Sequence, residues 1–191
     1  MATATQRQEF LSKIVPLAIA DMKTTKILAS LTIAQAILES GWGLSGLTKR
    51  SNNLFGIKGK GVACKTFEYI NGKRVDITDS FKAYPDWETS VADHSALFHR
   101  LSRYNNLIGE TDYKKACRKV QADGYATAPN YADVLIGIIE QYKLYQYDEE
   151  EKTVRYRVVF PHVSTKGECE SIIKWVQRNA KYTAKIEEEQ V

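Results

Sequence analysis

The chain reads as a mainly α (α+β) protein, with a helical body, a small β-hairpin lobe and a small C-terminal βαβ-like appendage. Three observations predict this. Apolar residues recur at three-and-four spacing over several long stretches, the pattern of helices that bury one face. Between Cys64 and Tyr84 the period falls to two on either side of Asn71-Gly72, a strong hairpin signal because a tight primed turn needs positive φ. After the charged run Asp148–Lys152, the order strand, helix, strand can be read once more over roughly forty residues.

In chain order, a first helix is expected over Gln6 to Asp21 with Phe10, Ile14, Leu17 and Ile19 inward and Pro16 kinking or dividing it. The second helix runs from about Lys26 to Glu39, with Ile27, Leu28, Leu31, Ala34, Ile37 and Leu38 on its buried face. A glycine-punctuated loop from Gly43 to Gly61 follows, too long and too apolar at Leu54, Phe55 and Ile57 for a mere connection. Glu68 lies on the first strand of the hairpin. Helices are expected over Asp86 to Leu101, with Asp86, Thr89 or Ser90 as cap, over Asp112 to Ala122, and from Tyr131 to Tyr145. Trp87 and Tyr84 are expected in the core under the hairpin. Residues 1–147 would form the main domain, 148–153 a solvated linker, and 154–191 a small strand-helix-strand module (strands Val154–Phe160 and Tyr182–Ile186, helix Lys166–Asn179). Such a module is too small for a stable core of its own, so it is expected to pack on the main domain, pair with a copy of itself, or be a fragment.

Composition narrows the function. At 43% hydrophobic and 26% charged residues the chain is ordinary for a globular protein, and its net charge of +4 favours a polyanionic partner. No Lys/Arg cluster interleaved with aromatics appears, which disfavours nucleic acid. Cys64, Cys117 and Cys169 are odd in number, widely spaced and without zinc-ligand spacing to histidine, so they read as free thiols, and no metal or cofactor is expected. No apolar run is long enough for stable membrane insertion, and Met1 to Phe10 is polar rather than signal-like. The expected setting is synthesis in the cytoplasm without an N-terminal signal.

One residue stands out chemically. Glu39 closes an apolar helix just before Ser40-Gly41-Trp42-Gly43, where glycines can take left-handed angles and end the helix. The negative end of the helix dipole and burial against the Trp42 indole both push a carboxyl pKa upward, which keeps a proton available for general-acid chemistry. The plain alternative is a solvated glutamate at a helix end.

The motifs then add up. Ala34-Gln35-Ala36-Ile37-Leu38-Glu39-Ser40-Gly41-Trp42-Gly43 and Ser51-Asn52-Asn53-Leu54-Phe55-Gly56-Ile57-Lys58 are followed by Phe67-Glu68-Tyr69-Ile70-Asn71-Gly72, Phe81-Lys82-Ala83-Tyr84, Asp93-His94 and Gly124-Tyr125-Ala126-Thr127-Ala128-Pro129-Asn130-Tyr131-Ala132. In that order, over roughly Phe10 to Tyr147, they resemble the glycoside hydrolase family 73 glucosaminidases of bacteria and their phages. Ala128 stands where the family often has Asp. The resemblance implies a lysozyme-like fold with a groove beside the β-lobe. It also implies hydrolysis of the β-1,4 bond after N-acetylglucosamine in bacterial peptidoglycan. Glu39 matches the family's catalytic acid and Tyr125 an active-site tyrosine, while Asn52, Phe55 and Tyr131 fall in groove-associated motifs.

A glycosidic bond needs a proton for the leaving oxygen and a group that stabilises or captures the sugar cation. For the second role Glu68 is the first choice, with Asp76 and Asp79 as alternatives. A third route has the substrate's own acetamido group attacking, steadied by Tyr125. Glu68 could instead be a cross-strand partner of Lys73 or Arg74. Trp42 could stack on a sugar or fill the core, and His94 reads as a packed or capping residue. A phage or prophage endolysin, released for host lysis, is the expected context. The rivals are a muramidase or lytic transglycosylase, and a non-catalytic wall-binding or tail-structural protein. The C-terminal module faintly resembles half of a sporulation-related glycan-binding repeat, with wall binding or homodimerisation as its expected role.

Overall fold

A computed structural model describes residues 2–70, 73–149 and 165–179. The chain forms two compact units, Met1–Glu151 and Lys152–Val191. The first is mostly helical with one two-stranded antiparallel sheet. Its elements are α1 (Ala4–Thr25), α2 (Ala29–Ser40), α3 (Gly46–Ser51), β1 (Gly61–Ile70), β2 (Lys73–Lys82), α4 (Trp87–Arg100), α5 (Tyr113–Ala122) and α6 (Tyr131–Gln141). Short 3₁₀ turns follow α4 at Ser102–Leu107 and α6 at Leu144–Tyr147.

The start of α1 is fixed by a capping box, in which the Thr3 side chain and Gln6 exchange hydrogen bonds with each other's backbone. The helix then runs unbroken through Pro16, so the expected division does not occur. Phe10, Ile14, Ala18 and Met22 are its buried stripe, while Leu17 and Ile19 are only half-buried. Asp21 near its end accepts hydrogen bonds from Ser95 on α4 and from Thr25, bracing the two helices.

α2 is the axis of the fold. It packs against α1, α5 and α6 and is buried on all sides, from Ala29 through Ile37. Each fully buried Leu or Ile here contributes roughly 1.5–3 kcal/mol. A helix start so deep in the protein needs partners for its free N–H groups. The Asp148 carboxylate accepts from the Ser30 N–H at 2.7 Å, and the Met22 sulfur faces the Ala29 N–H at 3.3 Å. Asp148, read from sequence as the first residue of a solvated linker, is therefore half-buried and caps the central helix. Leu38, expected inward, is 36% exposed, because the helix turns its last exposed arc outward at Leu38 and Glu39.

The Gly43–Gly61 interval holds a short helix that the sequence reading missed. Ser45 caps α3 by accepting from the Thr48 N–H, and Asn52 ends it in a left-handed conformation. The sheet pairs Gly61 with Lys82 through Ile70 with Lys73, and the expected turn at Asn71-Gly72 lies outside the described residues. Asn53 ties the root of this hairpin to the 51–58 loop. Its amide donates to the Ile57 and Lys82 carbonyls, and its oxygen accepts from the Phe55 and Ile57 N–H groups. Lys82 and the Tyr84 hydroxyl both bond Asp93 on α4 at 2.8 and 2.7 Å. Trp87 packs on Phe10 of α1 rather than under the hairpin. Asp86 and Asp112 cap α4 and α5. The closing helix stops at Gln141, eleven residues into the expected stretch, and Lys143 takes a left-handed conformation before the 3₁₀ turn.

In the second unit, α7 covers Lys166–Asn179, the expected helix, and both flanking strand expectations lie outside the described residues. No described helix is long and apolar enough to cross a membrane. The three cysteines are free, with Cys64 and Cys117 buried.

Candidate active site

The end of α2 is held unusually firmly. Gly41 caps it with φ of 57°, and Trp42 and Gly43 continue in the left-handed region at 64° and 72°. A non-glycine residue in that region is uncommon, and Trp42 is held there by its packing. Its ring meets Phe10 and Tyr142 edge-on, with the Arg7 guanidinium 5.6 Å from its centre. Ser40, fully buried, donates from its hydroxyl to the Ala36 carbonyl and accepts from the Gly43 N–H at 2.7 Å. The hairpin turn of backbone that follows Glu39 is thus stapled to the helix that carries it.

Glu39 itself remains open to solvent, while protein crowds it from most directions. That burial raises its pKa above the usual glutamate range, and a hydrogen bond from the Tyr131 hydroxyl to Oε1, at 2.8 Å, opposes the rise. The neighbour that grips the carboxyl is a phenol from α6, not the Trp42 indole expected from sequence. Behind Tyr131, the Gln35 amide nitrogen donates to its hydroxyl at 3.1 Å. The Gln35 carbonyl oxygen lies 3.1 Å from His94 Nε2. Gln35 and His94 are fully buried, and Tyr131 is 4% exposed.

Tyr125 joins this group. Its ring stacks on Tyr131 at 6.0 Å and meets His94, Phe98 and Tyr104 at their edges or at a tilt. It is half-buried, and burial together with the nearby Glu39 charge keeps its phenol protonated far above neutral pH. Glu39, Tyr125 and Tyr131 therefore converge from three parts of the chain.

The other expected site residues fall elsewhere. Phe55 is 4% exposed and stacks on His94 with ring centres 3.9 Å apart, so it presents no face to a sugar; it is core beneath the site. The Asn52 amide donates to the carbonyls of Tyr84 and Pro85, which makes it a brace between α3 and the exit of the hairpin. Glu68 lies on β1 opposite Val75, with Arg74 paired to Tyr69 and Lys73 to Ile70. Asp79 forms an ion pair with Lys58 at 2.6 Å, a hydrogen bond that lowers its pKa and occupies it. Among the described residues, no group of three or more His, Cys, Asp or Glu is placed to hold a metal ion.

Gln35 and His94 were not among the expected site residues. Gln35 sits inside an otherwise apolar helix face and His94 follows Asp93 in a quoted motif, so each carried a signal. Their contact spans 59 positions, which no local pattern reveals.

Comparison with known proteins gives concordant results. The family profile described as glucosaminidase, mannosyl-glycoprotein endo-beta-N-acetylglucosaminidase, matches residues 15–144. The exo-glucosaminidase LytG of Bacillus subtilis is 43% identical over 138 residues, covering 68% of this chain and 49% of LytG. The catalytic domain of the autolysin Auto from Listeria monocytogenes superposes with a TM-score of 0.71 at 35% identity, over 78% of this chain and 90% of that domain. A peptidoglycan hydrolase mutant from Sphingomonas sp. A1 gives a TM-score of 0.63 at 34% identity, over 73% and 97%. The chain spans about half or less of the length of the first curated relatives it matches.

Proposed function

Because this chain belongs to the glucosaminidase family, we propose that it hydrolyses the β-1,4 glycosidic bond after N-acetylglucosamine in bacterial peptidoglycan, with Glu39 as the general acid. The observation that carries this reading is the state of Glu39. One carboxyl oxygen is gripped by Tyr131 from inside, the side chain is open to solvent, and burial holds its proton above the ordinary glutamate range. That combination suits a group that must hold a proton and still reach a polymer.

In the reaction, protonated Glu39 gives its hydrogen to the glycosidic oxygen as the bond to the anomeric carbon breaks. Glu68, on β1, activates the water that attacks from the far side, and the Tyr125 phenol hydrogen-bonds the sugar at the cleavage point. Trp42, half-buried three residues after Glu39, stacks on a neighbouring sugar. The mild positive charge of the chain draws it toward anionic wall polymers, an attraction that salt weakens. The context is a phage or prophage lysis enzyme, and the second unit aids wall binding or pairs two copies.

The test is product chemistry. Purified peptidoglycan digested with the full chain is reduced and its ends are identified by mass spectrometry. N-acetylglucosamine at the reducing end is the expected result. N-acetylmuramic acid there would assign a muramidase, and an anhydro end a lytic transglycosylase. Sedimentation with walls and no new ends would mean a binding protein.

A further inference from the structure

Three buried polar side chains stand in line behind Glu39, and their order of donation is fixed by an atom at the far end. His94 Nδ1 is buried and has no hydrogen-bond partner among the described residues. A buried nitrogen left as a bare lone pair is tolerable, whereas an orphaned buried N–H is rare. The His94 hydrogen therefore sits on Nε2 and is donated to the Gln35 oxygen at 3.1 Å. Gln35 must then present its NH₂ to the Tyr131 hydroxyl, also at 3.1 Å. The Tyr131 oxygen accepts that bond, so its one hydrogen goes to Glu39 Oε1 at 2.8 Å. Running the chain in reverse would need a hydrogen on Nδ1 with nothing to receive it.

We propose that His94 and Gln35 are positioning residues for Glu39: their one-way chain makes Tyr131 a donor only, and so confines the transferable proton to Oε2, the oxygen that no described protein group bonds. The inference rests on Glu39 being the acid. The titratable groups facing Glu39 among the described residues are the phenols of Tyr131 and Tyr125, both kept neutral by burial. Asp93 is the charged neighbour of His94, and burial outweighs it, holding the imidazole neutral with a pKa of about 3. The chain thus keeps its direction throughout the working pH range.

The test reads the pH profile of wall clearing, whose basic limb reports deprotonation of the acid. His94→Phe removes the first donor, frees Gln35 to turn over, and lets Tyr131 point its hydrogen away from Glu39. The basic limb should then move to higher pH by about one to two units, with kcat reduced and KM unchanged, since a hydrogen bond to a charged group is worth about that. His94→Gln carries an N–H at the same reach and should restore the parental limb. Melting curves identify any variant that fails to fold. For that case the wild-type protein answers directly: long-range nitrogen NMR of the His94 ring should show hydrogen on Nε2 and none on Nδ1, unchanged between about pH 4 and pH 8. Hydrogen on Nδ1, titration near the ordinary histidine value, or equal limb shifts in both variants would overturn the proposal. Glu39→Gln separates the two readings: if it stays active the acid is wrong, and if it is inactive while His94→Phe keeps the parental limb only the positioning chain is wrong.

Discussion

Replacing Glu39 by Gln changes one chemical property and little else. The Gln oxygen can still accept the Tyr131 hydroxyl, which lies 2.8 Å from Oε1 in the wild type. The amide nitrogen takes the place of Oε2, and side-chain volume is conserved. Binding to the wall should therefore persist, while no proton can be given to the leaving oxygen. Loss of a general acid costs about 10²–10⁴-fold, or about 2.7–5.4 kcal/mol of barrier at about 1.36 kcal/mol per decade. Stability should move the other way. The folded pKa of Glu39 is raised above its ordinary 4.5, with burial as the largest cause. Its contribution to stability is thus fully present below that ordinary value and is lost as pH rises through the folded value. The variant escapes this loss, so parent and variant should melt together near pH 4, and the variant should melt at the same temperature or higher at pH 7. Turbidity of purified walls gives the rate, co-sedimentation gives binding, and calorimetry at the two pH values gives stability. Clearing within about tenfold of the parental rate, or a variant that is the less stable of the two at pH 7, would refute the reasoning.

Asp148→Ala should remove the acceptor for the Ser30 N–H and cost about 0.5–2 kcal/mol in urea unfolding, while Asp148→Asn, which keeps an oxygen, should lose less. Gly43→Ala forces a side chain into a φ of +72°, with its Cβ 3.1 Å from Phe10 and Trp87. A loss of roughly 1–2 kcal/mol from the backbone alone is expected, and an unchanged melting temperature would show that the turn relaxes freely. Phe55→Ala should cost about 3–5 kcal/mol, with co-sedimentation of the still-folded protein in the cold unchanged. If binding falls and stability does not, Phe55 touches sugar after all.

What the sequence made legible was local. The apolar run ending in Ser40-Gly41 marked α2 and its carboxylate, because left-handed glycine is a physical stop signal that needs no tertiary context. Asn71-Gly72 announced the hairpin, and Asp86 and Asp112 their helices, for the same reason. The reading faltered where burial depends on what lies across the fold. Ser30 and Thr32 look like the solvent face of an amphipathic helix, yet both are buried because helices cover α2 on every side. Leu38 was assigned inward by the same periodicity and lies outward. Asn52 and Phe55 stood in motifs tied to the expected groove, and their side chains instead brace the backbone at Tyr84 and Pro85 and stack on His94. The six-residue α3 was hidden by the glycines around it. Glu39, Tyr125 and Tyr131 were each identifiable, but the grip of Tyr131 on Glu39, across 92 positions, is a product of the α2–α6 packing.

The stapling of Ser40 to Ala36 and Gly43 has a bearing on how substrates are chosen. With the next residue nailed down on both sides, the backbone that carries Glu39, the proposed acid, is a fixed post. A near-attack arrangement tolerates misplacement of only about an ångström before rates fall by about a hundredfold. A glycan strand that arrives slightly askew cannot be met halfway by this carboxyl, so the strand, or the walls around it, must do the adjusting. Selectivity among wall chemistries would then be written into how each strand lies down, with the proton donor serving as the unmoving reference mark.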